Sequence, residues 1–124
     1  MPNYFVTIPP WSGCSLAVQI VRFVDESFPR WVASEFVDAE GQVHTFIAKV
    51  PIFSIDDLNA STEYPQPGII RCEVLDRWKD PSGKELIRVT TDKPDSVEST
   101  EGLSEFVVMP IQLSKIIPEG DSSR

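Results

Sequence analysis

Between Trp31 and Val50 β-branched and aromatic residues flank a turn, and successive side chains fall on opposite faces with the period of two of a strand. Val32, Ser34 and Phe36 share one face; Trp31, Ala33, Glu35 and Val37 share the other. After "DAEG" (38–41) the alternation resumes, with His44, Phe46 and Ala48 opposite Val43, Thr45 and Ile47. This predicts a hairpin turning at Glu40-Gly41, where glycine accepts a positive φ without cost.

The same reading extends along the chain. "SLAVQIVRFV" (15–24) is β-branched and apolar and predicts a strand buried on one face. "IIRCEVLDRW" (69–78) and "LIRVTTD" (86–92) predict a second hairpin around "KDPSGKE", turning at Ser82-Gly83. "FVVM" (106–109) predicts a last strand, and "IQLSKII" a short helix or an extra strand. Pro51 takes "KVPIF" out of the ladder or to an edge. Ser54 and Asp57 have capping-box spacing and predict one helical turn. Pro67-Gly68, closing the extended "TEYPQPG", suits a type II turn.

Strands that follow one another as hairpins, without helices between them, pair antiparallel. The expectation is therefore an all-β domain of about six strands over residues 1–117, with a flexible tail at 118–124. Strands this few leave exposed edges unless the sheet curls, so a small barrel or two-layer sandwich is expected.

Composition adds a bias rather than a chemistry. The 124 residues carry a net charge of −8, which disfavours nucleic acid and anionic membranes as partners and favours a basic protein. The excess is concentrated. Residues 50–63 hold Asp56, Asp57 and Glu63, and residues 92–105 hold five acids against Lys93. "MPNYFVTIPPW" lacks a signal-peptide pattern, and no window reaches the ~18 apolar residues of a membrane span. A cytoplasmic protein with Cys14 and Cys72 reduced is expected; a bridge between them is the second reading.

The acidic stretch 92–105 has several readings. Asp92, Asp95, Glu98 and Glu101 recur every three residues; Asp95 and Glu98 have capping-box spacing, and Gly102 suits a left-handed stop. A short capped turn follows, either solvated or facing a partner. The alternating ligand pattern of a calcium loop is missing. Cys14 and the single histidine, His44, could form a nucleophile–base pair, but their spacing does not bring them together; a turn cysteine and a strand histidine are preferred. Cys72 shares a face with Ile70 and Val74 and reads as core. Phosphate-binding, dinucleotide, nucleophile-elbow and C-x-x-C motifs are lacking, so no catalytic residue, metal or cofactor is assigned. Trp11, Trp31, Tyr64 and Trp78 fall at element ends and read as caps over the barrel. Trp78 also stands beside Arg77, Lys79, Lys84 and Arg88, a pattern that could stack single-stranded nucleic acid.

The stretches "WVASEFVDAEG", "HTFIAKVP", "YPQPGIIRCEVL", "WKDPSGKELIRV" and "VESTEG" resemble a family of short bacterial proteins without an assigned activity. The resemblance implies a bacterial cytosolic setting and no site residues. Together these features lead to the expectation of a non-enzymatic protein-binding module, of inhibitor or immunity type, for a basic partner. Its expected contact residues are Asp56, Asp57, Glu63, Asp92, Asp95, Glu98, Glu101 and Trp78. A homodimer remains open. The alternatives are an oligonucleotide-binding barrel using the 76–88 hairpin and an enzyme with acidic catalytic residues.

Overall fold

The computed structural model describes residues 13–115. Trp11, the opening stretch 1–11, residues 116–117 and the expected tail 118–124 lie outside the described residues. The elements are β1 (Gly13–Asp25), β2 (Trp31–Val37), β3 (Val43–Lys49), a one-turn helix α1 (Val50–Phe53), β4 (Gln66–Lys79), β5 (Glu85–Thr90), β6 (Glu105–Val108), a 3-10 turn at Pro110–Gln112, and β7 (Leu113–Lys115). All strand pairs are antiparallel, in the order β3-β2-β1-β4-β5-β6, with β7 alongside the start of β1. The sheet is a curled half-barrel, which resolves the choice between barrel and sandwich.

The curl follows from where the ladder breaks. The β1–β2 register shifts between Ile20 and Arg22 and again between Phe23 and Asp25; β4–β5 shifts between Val74 and Asp76. Such bulges bend a strand and increase its twist. The alternation therefore rolls Cys14, Leu16, Val18, Ile20, Val32, Phe36, Phe46, Ile70, Cys72, Val89 and Phe106 into one interior cluster.

The open side lies between β3 and β6, and loops cross it. Ala39 N–H donates to the Val107 carbonyl at 2.9 Å, and Thr100 N–H donates to the Thr45 carbonyl at 2.8 Å. Beneath these bonds Phe106 meets Phe36 and Phe46 with centroids 5.2 and 5.6 Å away. Edge-on contacts at such distances suit the ring quadrupoles.

Three turns share one hydrogen-bond pattern. Asp38, Asp80 and Ser99 each donate their backbone N–H to the carbonyl four positions on, and their own carbonyls accept from Gly41, Gly83 and Gly102 respectively. Their side-chain oxygens accept from the N–H groups two and four positions on. All three glycines have φ between +80° and +90°, as the sequence predicted for them.

Four local expectations need correction. The helical turn lies at Val50–Phe53, not at 54–57. Pro51 seeds it because its missing N–H and fixed φ suit a first helical turn, whereas the Ser54 hydroxyl accepts from Asp56 N–H in a tight bend. Pro67 and Gly68 are not a turn but the start of β4, opposite Gln19 and Val18. No helix starts at Asp95, because its carboxylate is engaged by Arg71. Cys14 belongs to β1 rather than a turn. The stretch "IQLSKII" begins as the 3-10 turn and continues as β7, combining its two readings.

Candidate functional site

Alternation along β4 turns Ile70 and Cys72 inward and leaves Pro67, Ile69 and Arg71 on the outer face. Beside that face runs the chain leaving β3. In α1, Val50 and Phe53 are buried and anchor the turn, which carries Pro51, Ile52, Ser54 and Ile55 alongside β4. The close approach depends on Gly68. A Cβ there would lie 2.8 Å from Ile20 Cδ1 and 3.1 Å from the Phe53 carbonyl oxygen.

Between these two walls lies a groove of about 580 Å³. Its bed is mostly apolar. Ile55 is fully exposed and Ile69 is 41% exposed, so the bed presents two isoleucines to solvent. One end is polar. Arg71 Nε donates to Asp95 Oδ2 at 3.0 Å and Arg71 Nη2 to Asp95 Oδ1 at 2.7 Å. This two-point hydrogen bonding raises the pKa of the Arg71 guanidinium, so the group stays charged.

The acidic stretch is thus only partly free. Val97 and Ser99 are buried, and Thr91, fully buried, donates its hydroxyl to the Val97 carbonyl at 2.7 Å. Asp95 closes the groove, while Asp92, Glu98 and Glu101 point to solvent. In the other acidic segment, Asp57 pairs with Arg30 at 2.9 Å. Asp56 is exposed directly after Ile55, and Glu63 is exposed further along the same loop. Among the described residues, Asp56, Glu63, Asp92, Glu98 and Glu101 form no ion pair.

Trp78 is not gathered with these groups. It lies seven positions beyond Arg71 on β4, roughly 23 Å along an extended strand. The surrounding hairpin is not an open basic patch either. Arg77 lies 3.9 Å from Glu85, and Arg88 lies 3.7 Å from Asp76 and 3.5 Å from Glu105. Trp31 is half-buried with Lys49 over its ring, and Tyr64 packs on the core while donating its hydroxyl to the Asn59 carbonyl.

Sequence reasoning missed a second polar centre. His44 Nε2 meets Asp38 Oδ2 at 2.7 Å, with side chains only 7% and 11% exposed. Burial pushes the Asp38 carboxyl up, but hydrogen bonds from His44, Gln42 and Glu40 outweigh it and hold the group below the ordinary carboxylate range. Among the described residues His44 Nδ1 has no hydrogen-bond partner, and the ring packs on Phe36 and Phe106. The signal was present in the turn: Asp38 starts the D-x-x-G loop, and His44 is an inward position of the returning strand. The pair holds the turn whose next residue, Ala39, bonds to Val107 across the open side of the sheet. Cys14 pairs with Cys72 instead of His44, their sulfurs 2.7 Å apart.

Among the described residues, no helix is long and apolar enough to cross a membrane. No family model, curated protein or solved structure matches the chain.

Proposed function

We propose that the protein is a non-enzymatic binding module that docks a basic segment of another protein in the groove between α1 and β4. The observation that carries this reading is the fully exposed Ile55 of the apolar bed, followed in the chain by Asp56, which is exposed and forms no ion pair among the described residues. An apolar anchor of the partner would fill the bed formed by Ile52, Ile55 and Ile69. Its flanking Lys or Arg would meet Asp56.

The division of labour follows from physics. Buried apolar contact supplies most of the affinity, and charge supplies orientation and encounter rate. Asp92, Glu98 and Glu101 extend the negative field without touching the groove. Arg71 is already matched by Asp95, so it does not repel an approaching cation. A partner of this chemistry is what an inhibitor or immunity protein in a bacterial cytoplasm would cover.

Selection of displayed random peptides on the immobilised protein tests the reading. It predicts enrichment of sequences with a large apolar residue next to Lys or Arg, lost when Ile55 is replaced by Asp. Enrichment of acidic peptides, or enrichment indifferent to Ile55→Asp, contradicts it.

A further inference from the structure

The two cysteines are direct cross-strand partners. In the β1–β4 ladder Cys14 stands opposite Cys72, both turned into the core, 3% and 1% exposed. Directly opposed residues of an antiparallel pair have Cα atoms about 4.5 to 5.5 Å apart. Disulfides span roughly 4.4 to 6.8 Å between the same atoms. The ladder therefore holds the two thiols where a bond between them needs little backbone movement, and 57 intervening residues make the bond a long-range one.

We infer that Cys14 and Cys72 are a reversible oxidation site, at which hydrogen peroxide converts the thiol pair into a disulfide that ties β1 to β4. The roles within the pair are distinct. The sulfurs lie 2.7 Å apart and share one hydrogen bond, which stabilises whichever thiol ionises first and, with burial, holds the proton on the other. Cys14, which also lies in the ladder against the short strand β7, is the attacking sulfur and Cys72 the resolving one.

The Cys14 thiolate attacks one peroxide oxygen, the O–O bond breaks, and the leaving oxygen departs as hydroxide and takes up a proton to become water. Cys14 is then a sulfenic acid. Cys72 loses its proton and attacks the Cys14 sulfur; the S–O bond breaks, and the departing oxygen leaves as a second water. Two thiols are oxidised by two electrons, one peroxide is reduced, and a dithiol reverses the change. Access has a route: Cys14 is also paired with Lys115 of β7, a strand of three residues that among the described residues bonds to no strand but β1. Short edge elements open at low free-energy cost.

Hydrogen peroxide added to the reduced, folded full chain provides the test, followed by denaturation, thiol alkylation and mass analysis. The inference expects loss of both alkylatable thiols together and a mass lower by two hydrogen atoms. It also expects a Cys14–Cys72 cross-linked peptide, a monomer on a non-reducing gel, and full recovery with dithiothreitol. The Cys72→Ser chain should instead trap a dimedone-reactive sulfenic acid on Cys14. Persistence of both thiols in the parent chain overturns the inference, as does oxygen added without a cross-link or a bond formed only between chains. Because the parent chain alone decides, the outcome does not depend on the variants folding.

Discussion

Arg71 and Asp95 join two segments that the sequence separates by 23 intervening positions: the outer face of β4 and the acidic stretch before β6. Their double hydrogen bond, at 2.7 and 3.0 Å, makes a loop rich in carboxylates the polar end of a groove. A carboxylate used in this way is no longer a helix cap, which is why Asp95 starts no helix. The bond separates Asp95 from its neighbours in a measurable way.

Asp95→Asn should lower stability modestly, by up to about 1 kcal/mol, because Arg71 is half-exposed and solvent screens the pair. Glu98→Gln and Glu101→Gln should change it by less than about 0.5 kcal/mol, as solvent-facing positions do. Urea denaturation of the three variants checks the order. Equal losses at all three positions would contradict the anchoring role of Asp95.

The three matched turns allow a cleaner comparison. A Cβ added at Gly41, Gly83 or Gly102 meets nothing within 4 Å, so alanine there is opposed only by its positive φ. Each substitution should cost about 1 to 2 kcal/mol, with similar values at all three sites. At Gly68 the added Cβ strikes Ile20 and the Phe53 backbone instead. Gly68→Ala should therefore cost about 1 to 3 kcal/mol by overpacking, and it should also disturb the groove. Thermal melts of the four variants, with a groove-binding peptide as a second readout, separate the two mechanisms.

Asp38 supplies a pH dependence. Its folded-state pKa is depressed by hydrogen bonds from His44, Gln42 and Glu40 against the effect of burial. The stability it contributes is present above its unfolded pKa of about 3.9. That contribution is lost as pH falls through the lower folded value. The parent should thus lose stability below about pH 4, and Asp38→Asn should lose less over the same interval. Denaturation midpoints measured between neutral and strongly acid pH check this. A parent and variant with parallel acid limbs would contradict it.

The sequence revealed what depends on local chemistry. Alternation grouped Val32 with Phe36 and His44 with Phe46, leaving the fold to show that these faces point inward, and glycines at 41, 83 and 102 marked positive-φ positions. What it hid depends on distant partners. Pro67-Gly68 has turn residues, yet pairing with Gln19 and Val18 makes it strand, and the absent Cβ serves packing rather than a bend. Ser54 and Asp57 carry a capping pattern, yet burial of Val50 and Phe53 places the helical turn before them. The groove was invisible because its lining comes from three separate segments. The acidic positions were found, but as a charge total; only the fold shows that Asp95 and Asp57 are matched by arginines while Asp56 is not.

The central claim concerns where a basic, apolar segment binds. The most direct test is a titration of the isotopically labelled full chain, followed by amide NMR shifts. The titrant is a pool of short peptides carrying one large apolar residue flanked by Lys or Arg. The account predicts shifts concentrated at Ile52, Ser54, Ile55, Gly68, Ile69, Arg71 and Asp95, weakening as salt rises. Ile55→Asp should reduce affinity by tenfold or more, the loss of at least about 1.4 kcal/mol expected of an anchor contact. It should leave stability nearly unchanged, since Ile55 is fully exposed. Shifts centred instead on Arg77, Trp78 and Arg88, or binding unaffected by Ile55→Asp, would contradict the account.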